Sequence, residues 1–145
     1  MTGAMSFTFT LRRQKRLKRS REDVLFSKYV RLRDNYTCQR CGTQHEQNSR
    51  GLHSSHYFGR SGKSVRWDEN NCIALCYGCH RIWASKDREQ YRNFMLEKLG
   101  QKEFDDLTER SENKKTWKKR ELEELRDKLK RRIDELEPVY ILSRE

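Results

Sequence analysis

Two Cys-x-x-Cys knuckles, Cys38-Gln-Arg-Cys41 and Cys76-Tyr-Gly-Cys79, constrain this chain more than any other feature. A two-residue spacer lets both thiolates of a tight turn face one ion. Two such knuckles together form the tetrahedral four-sulfur site of zinc. A site closed by four sulfurs has no open coordination position, so its expected role is structural. Hydrophobic residues make up only 33% of the chain and charged residues 38%. With so thin a core, the metal is expected to carry much of the folding free energy, on the order of 10 kcal/mol or more. Thiolates used this way fit a reducing compartment better than a disulfide framework, and a cytoplasmic location is expected. The fifth cysteine, Cys72, reads as a small buried apolar side chain in a strand.

The formal net charge is +11 over 145 residues, which favours a polyanionic partner. A membrane role is not expected. No stretch reads as a signal peptide, no apolar run is long enough to span a bilayer, and no helix combines a basic face with a bulky apolar one. Nucleic acid is the better partner, although charge alone does not separate DNA from RNA. Residues 1–21 form a basic arm in which Arg12, Arg13, Lys15, Arg16, Lys18 and Arg19 are expected to lie on phosphates and release counterions.

Local signals give an α+β chain. Ser20 resembles a helix N-cap with acids in the following turn. Val24, Leu25, Tyr29, Val30 and Leu32 then recur near helical spacing and predict a helix packed on the zinc core. Residues 52–58 and 71–75 read as an antiparallel hairpin joined by a long loop containing Gly59-Arg-Ser-Gly62. A helix is expected to begin at Cys79-His80 and break near Asp87. A second covers 87–99 with Gly100 as its stop, and a third covers 101–111. A long charged helix over 112–137 should end at Pro138. Its Leu122, Leu125, Leu129, Ile133 and Leu136 form a seam suited to a homodimer or to packing on its own domain. Trp117, inside Lys114-Lys-Thr-Trp-Lys-Lys-Arg120, offers a stacking and phosphate contact. The expected organisation is the arm, a zinc-stapled domain over 22–100, and a helical extension over 101–145.

Between the knuckles lie groups suited to phosphodiester hydrolysis, which needs a base for water, a cation on the phosphate and something to hold both. His56 has a near-neutral reference pKa and suits the base. His80, beside the zinc frame, could reach back toward it. Asn71 could hydrogen-bond the loop that carries His56, and Arg60 could sit on a phosphate. His53 reads as structural.

The order Ser55-His56, Asn71, then Cys76-Tyr-Gly-Cys79-His80 resembles the HNH endonuclease pattern. The segments Phe26-Ser-Lys-Tyr-Val-Arg-Leu-Arg-Asp34, Ser55-His56-Tyr57 and Val65-Arg-Trp-Asp68 resemble phage recombination proteins of the NinG type. The resemblance implies a ββα-metal finger, a hairpin followed by a helix with one divalent ion in the cleft, here stapled by zinc and surrounded by helices. It implies that His56 is the general base, that Asn71 orders the catalytic loop, and that His80 binds a catalytic Mg2+ or Mn2+. The position before the base usually carries Asp, Glu or His as a further ligand. Here it is Ser55, a poorer ligand for a hard cation. That leaves His80, waters and substrate phosphate to hold the ion, with Asp68 as an outer-shell helper. The expected function is a metal-dependent DNA endonuclease acting in phage DNA recombination or processing. The alternative is a zinc-stabilised DNA-binding module without catalysis.

Overall fold

The computed structural model describes residues 17–145. Arg12, Arg13, Lys15 and Arg16 of the expected arm lie outside the described residues. The first helix, α1 (Arg21–Arg33), begins at a reciprocal cap. The Ser20 hydroxyl accepts from the Asp23 N–H at 3.2 Å, and the Ser20 N–H donates to the Asp23 carboxylate at 2.8 Å. Its buried face is Phe26, Tyr29, Val30 and Leu32. Val24, expected on that face, is 50% exposed, because Phe26 sets the phase of the stripe that meets the hairpin.

The chain then reverses through Asn35 (φ 56) and Tyr36 (φ 49), both left-handed. Asn tolerates that conformation better than Tyr, whose strain is offset by burial of its ring against Tyr140, with centroids 5.1 Å apart. The first knuckle closes directly afterwards through a Thr37–Gln44 bridge. Gly42, at φ +74, makes the tight turn in which its own N–H reaches the Cys38 carbonyl at 2.9 Å. The N–H of Gln39 donates to the Ala74 carbonyl at 2.9 Å, fastening the knuckle to the sheet.

The sheet is the expected hairpin. β1 (Leu52–His56) pairs antiparallel with β2 (Cys72–Cys76), in a register that sets Leu52 opposite Cys76 and His56 opposite Cys72. After the second knuckle comes a short π-helical segment, Cys79–Ala84, and then α2 (Arg88–Leu99), whose cap is Asp87. Gly100, at φ +82, separates α2 from α3 (Gln101–Glu112). Val30, Ile73, Leu75, Tyr91, Met95 and Leu107 form the driest part of the interior. The architecture is α+β, with a two-stranded hairpin enclosed by helices. Among the described residues no helix is long and apolar enough to cross a membrane.

The last helix departs from its expected bounds. α4 spans Lys119–Leu142, so residues 113–118 are not helical and Pro138 lies inside the helix. Trp117 turns inward: its indole N–H donates to the Lys63 carbonyl at 2.8 Å and its ring meets Trp67 edge-on. That anchors the connection and delays the helix start. Proline removes one backbone donor, yet the turn beyond it stays docked because Tyr140 is buried against Tyr36. Within the expected coiled-coil seam, Leu129 and Ile133 are buried, and α4 packs along α1 of the same chain. The Arg126–Glu22 ion pair and the Lys28–Glu137 pair at 2.6 Å flank that contact.

Candidate functional site

The four knuckle sulfurs of Cys38, Cys41, Cys76 and Cys79 all lie within 4.8 Å of one another. A Zn–S bond of about 2.3 Å in a tetrahedron demands S···S separations of about 3.8 Å. The Cys41–Cys76 pair stands at 3.8 Å. The donor set and its spacing thus fit zinc. Partners surround the sulfurs as well. The Thr43 hydroxyl is 3.1 Å from Cys41, the Cys79 N–H donates to the Cys76 sulfur at 3.5 Å, and an Arg40 guanidinium N–H donates to the Cys79 sulfur at 3.7 Å. The Thr43 hydrogen bond is the largest influence lowering the Cys41 thiol to about 6, toward the thiolate a metal needs. Cys72 is buried in β2, and burial raises its thiol well above the ordinary value.

On the other side of the hairpin a cleft of about 1730 Å³ opens between α1, β1 and the residues after the second knuckle. His53, His56 and His80 all line it. Among the described residues so do six cations, Lys18, Arg19, Arg31, Arg50, Arg60 and Arg81, against a single acid, Asp23, which leaves the cleft strongly attractive to a polyanion. Lys18, Arg19 and Arg60, for which phosphate contacts were expected, thus share one cleft. Arg60 also bonds the Leu17 carbonyl at 3.2 Å, which ties the described end of the arm to the cleft.

His56 is fixed by the long loop. Its Nε2 lies 2.8 Å from the Arg66 carbonyl oxygen. A carbonyl only accepts, so Nε2 carries the proton and Nδ1 keeps its lone pair. Burial pushes the His56 pKa below its ordinary 6.5, so the ring is neutral at neutral pH. The Arg66 carbonyl is itself held from two directions. The Arg66 guanidinium grips Asp23 at 2.5 Å. Burial alone would raise that carboxylate, but Arg66, the Ser20 N–H and the Trp67 N–H bring it down to about 2. Next to Arg66, the Val65 carbonyl accepts from Asn71 Nδ2 at 3.0 Å.

Asn71 is fully buried and clamps the loop at both ends. Its Oδ1 accepts from the Phe58 N–H at 2.8 Å, and its Nδ2 donates to the Phe58 carbonyl at 2.9 Å as well as to Val65. All the amide's polar atoms are engaged, and they join the start of the loop to its end.

The expected ligands are arranged differently. Ser55 is 1% exposed, and its hydroxyl lies 2.9 Å from the Tyr91 hydroxyl in the core. His56 turns toward Phe26 of α1, whereas the Ser55 hydroxyl is held against Tyr91 of α2. Ser55 is therefore not in the cleft as a ligand. Asp68 is engaged elsewhere too, with Arg110 at 2.7 Å and with the Asn70 N–H at 3.0 Å. His53, which had read as structural, lines the cleft beside His80. Its Nδ1 lies 2.9 Å from His80 Nδ1, and its Nε2 lies 3.2 Å from the Arg50 carbonyl. Burial lowers the pKa of both rings, that of His80 to about 4, so both are neutral at neutral pH. The place of His53 follows from the strand register, which pairs it with Leu75, the residue before Cys76 of the second knuckle.

A family model described as the bacteriophage lambda NinG protein matches residues 10–138. No curated protein matches the chain, and no solved structure does.

Proposed function

The chain belongs to the bacteriophage lambda NinG protein family, and on that premise we propose that it is a metal-dependent DNA endonuclease of the HNH type acting in phage DNA recombination or processing. The observation that carries this reading is the held base. His56 is neutral, keeps Nδ1 free, and is aimed by the Arg66 carbonyl inside a cleft lined by six cations.

In this reading the DNA backbone lies in the cleft with its phosphates on Arg60, Lys18 and Arg19. His56 Nδ1 removes a proton from water as the oxygen attacks phosphorus. The bond from phosphorus to the departing 3′ oxygen then breaks, and that oxygen is protonated from solvent. Asn71 and the Asp23–Arg66 pair keep the base from drifting, which preserves attack geometry. A divalent ion, Mg2+ or Mn2+ in the family resemblance, would be held at His80 and would supply positive charge at the phosphate.

One observation favours a second reading, a zinc-stabilised DNA-binding module without catalysis. Ser55 is bound to Tyr91, and Asp23, the one carboxylate in the cleft, is already paired with Arg66. The two readings separate on incubation with supercoiled plasmid and with a four-way junction, each with Mg2+, Mn2+ or a chelator. The enzyme reading expects ion-dependent nicking or cutting of at least one substrate. Binding without cleavage under every ion would leave the module.

A further inference from the structure

Nδ1 of His53 and Nδ1 of His80 meet at 2.9 Å on the wall of the cleft. The Arg50 carbonyl 3.2 Å from His53 Nε2 can only accept, so Nε2 bears the proton and His53 Nδ1 presents a bare lone pair. His80 Nδ1 lies 2.9 Å from that atom, with the ring planes at 78°. Two imidazole nitrogens bound to adjacent positions of an octahedral ion, with bonds of about 2.1 Å, stand about 3.0 Å apart. Imidazole ligands also commonly donate their other N–H to a backbone carbonyl, which fixes ring and tautomer. His53 has that partner already. Both rings line the cleft, so the remaining coordination positions would face water and a phosphate.

We propose that His53 and His80 together bind one divalent transition-metal ion through their Nδ1 atoms, with His53 supplying the ligand that Ser55 does not. Two nitrogens and no carboxylate make a borderline-soft donor set. Such a site prefers ions such as Co2+ or Ni2+ to Mg2+, which demands oxygen ligands. The Mg2+ named in the resemblance is then a poor occupant, and Mn2+ a weaker one than Co2+ or Ni2+. The site's part in cleavage rests on the endonuclease reading; its existence does not.

The test is calorimetric titration of the full chain, zinc-loaded at the cysteines, with Co2+, Ni2+, Mn2+ and Mg2+ in turn. One further ion per chain is expected, bound more tightly by Co2+ and Ni2+ than by Mn2+, with Mg2+ weakest. His53→Ala and the better-packed His53→Gln should each weaken Co2+ binding by at least about tenfold, the lower bound seen even for second-shell partners of metal ligands. Both should keep one zinc per chain and the wild-type circular dichroism. Ser55→Ala and His56→Ala should leave Co2+ affinity unchanged. Unchanged affinity in folded His53→Gln, or Mg2+ binding as tightly as Co2+, overturns the site. Cleavage assays on the same samples keep the two questions apart. Cleavage that persists at wild-type rate in a folded His53→Gln variant that has lost Co2+ binding removes the site from the reaction while leaving the nuclease. Metal binding that depends on His53 in a protein that cuts nothing removes the nuclease while leaving the site.

Discussion

The cysteine cluster and the histidine cleft are built on one hairpin by opposite means. At the cluster, four side chains of one chemical kind converge, and a closed shell of sulfur leaves the ion nothing to exchange. At the cleft, two imidazole rings lie against backbone carbonyls, Arg66 for His56 and Arg50 for His53, and both line an open cleft. The first region supplies rigidity, and the second uses it. Gln39 in the first knuckle bonds the Ala74 carbonyl of β2, so order at the zinc passes into the strand facing the histidines.

The largest effect should come from removing a sulfur. Cys76→Ser should release zinc and unfold the hairpin together with the cleft, a loss on the order of 10 kcal/mol, seen as absent zinc and a collapsed circular dichroism spectrum. Folded protein without zinc would break the comparison at its root. A smaller and one-sided effect is expected at Asn71. Asn71→Ala strands the buried Phe58 and Val65 groups and should cost about 3 kcal/mol, while zinc stays at one per chain. Equal loss of zinc in that variant would show that the two regions are not separable.

These contrasts also explain what could be read from the sequence. The cysteine cluster was legible because spacing alone fixes the knuckle geometry, and Asn71 stood out through the resemblance to the HNH pattern. His53 was not legible. Its importance comes from strand register, which sets it opposite Leu75, and register is a tertiary property. The departure at Ser55 was visible, but its burial under Tyr91 depends on α2 crossing that face of the strand. Likewise the 3, 4, 4, 3 spacing on α4 announced a packing stripe without naming its partner, which is α1 of the same chain. Pro138 misled because local propensity yields to tertiary contact when Tyr140 docks beyond it.

The cleft should have its own pH signature. Burial lowers the His56 pKa, so the unprotonated base forms as pH rises through a value below 6.5. The nicking rate should climb about tenfold per pH unit below that value and level off by about pH 7. A rate still climbing steeply above pH 7.5 would assign the limiting proton to another group. The smallest expected effects are at the rim. Lys18→Ala and Arg19→Ala should each reduce the slope of log affinity against log salt by about 0.9 on duplex DNA, with no change in zinc content. Unchanged slopes would mean that these side chains do not touch phosphate.

The central claim is that the cleft is catalytic and the cysteine cluster is not. The most direct measurement compares wild type with His56→Ala, purified side by side, for nicking of supercoiled plasmid under matched divalent-ion titrations, with zinc content and DNA affinity determined on the same samples. The account predicts a loss of nicking of at least about 100-fold in His56→Ala, the usual scale for a general base, with one zinc per chain and near-wild-type affinity retained. Equal nicking by the two proteins would contradict it.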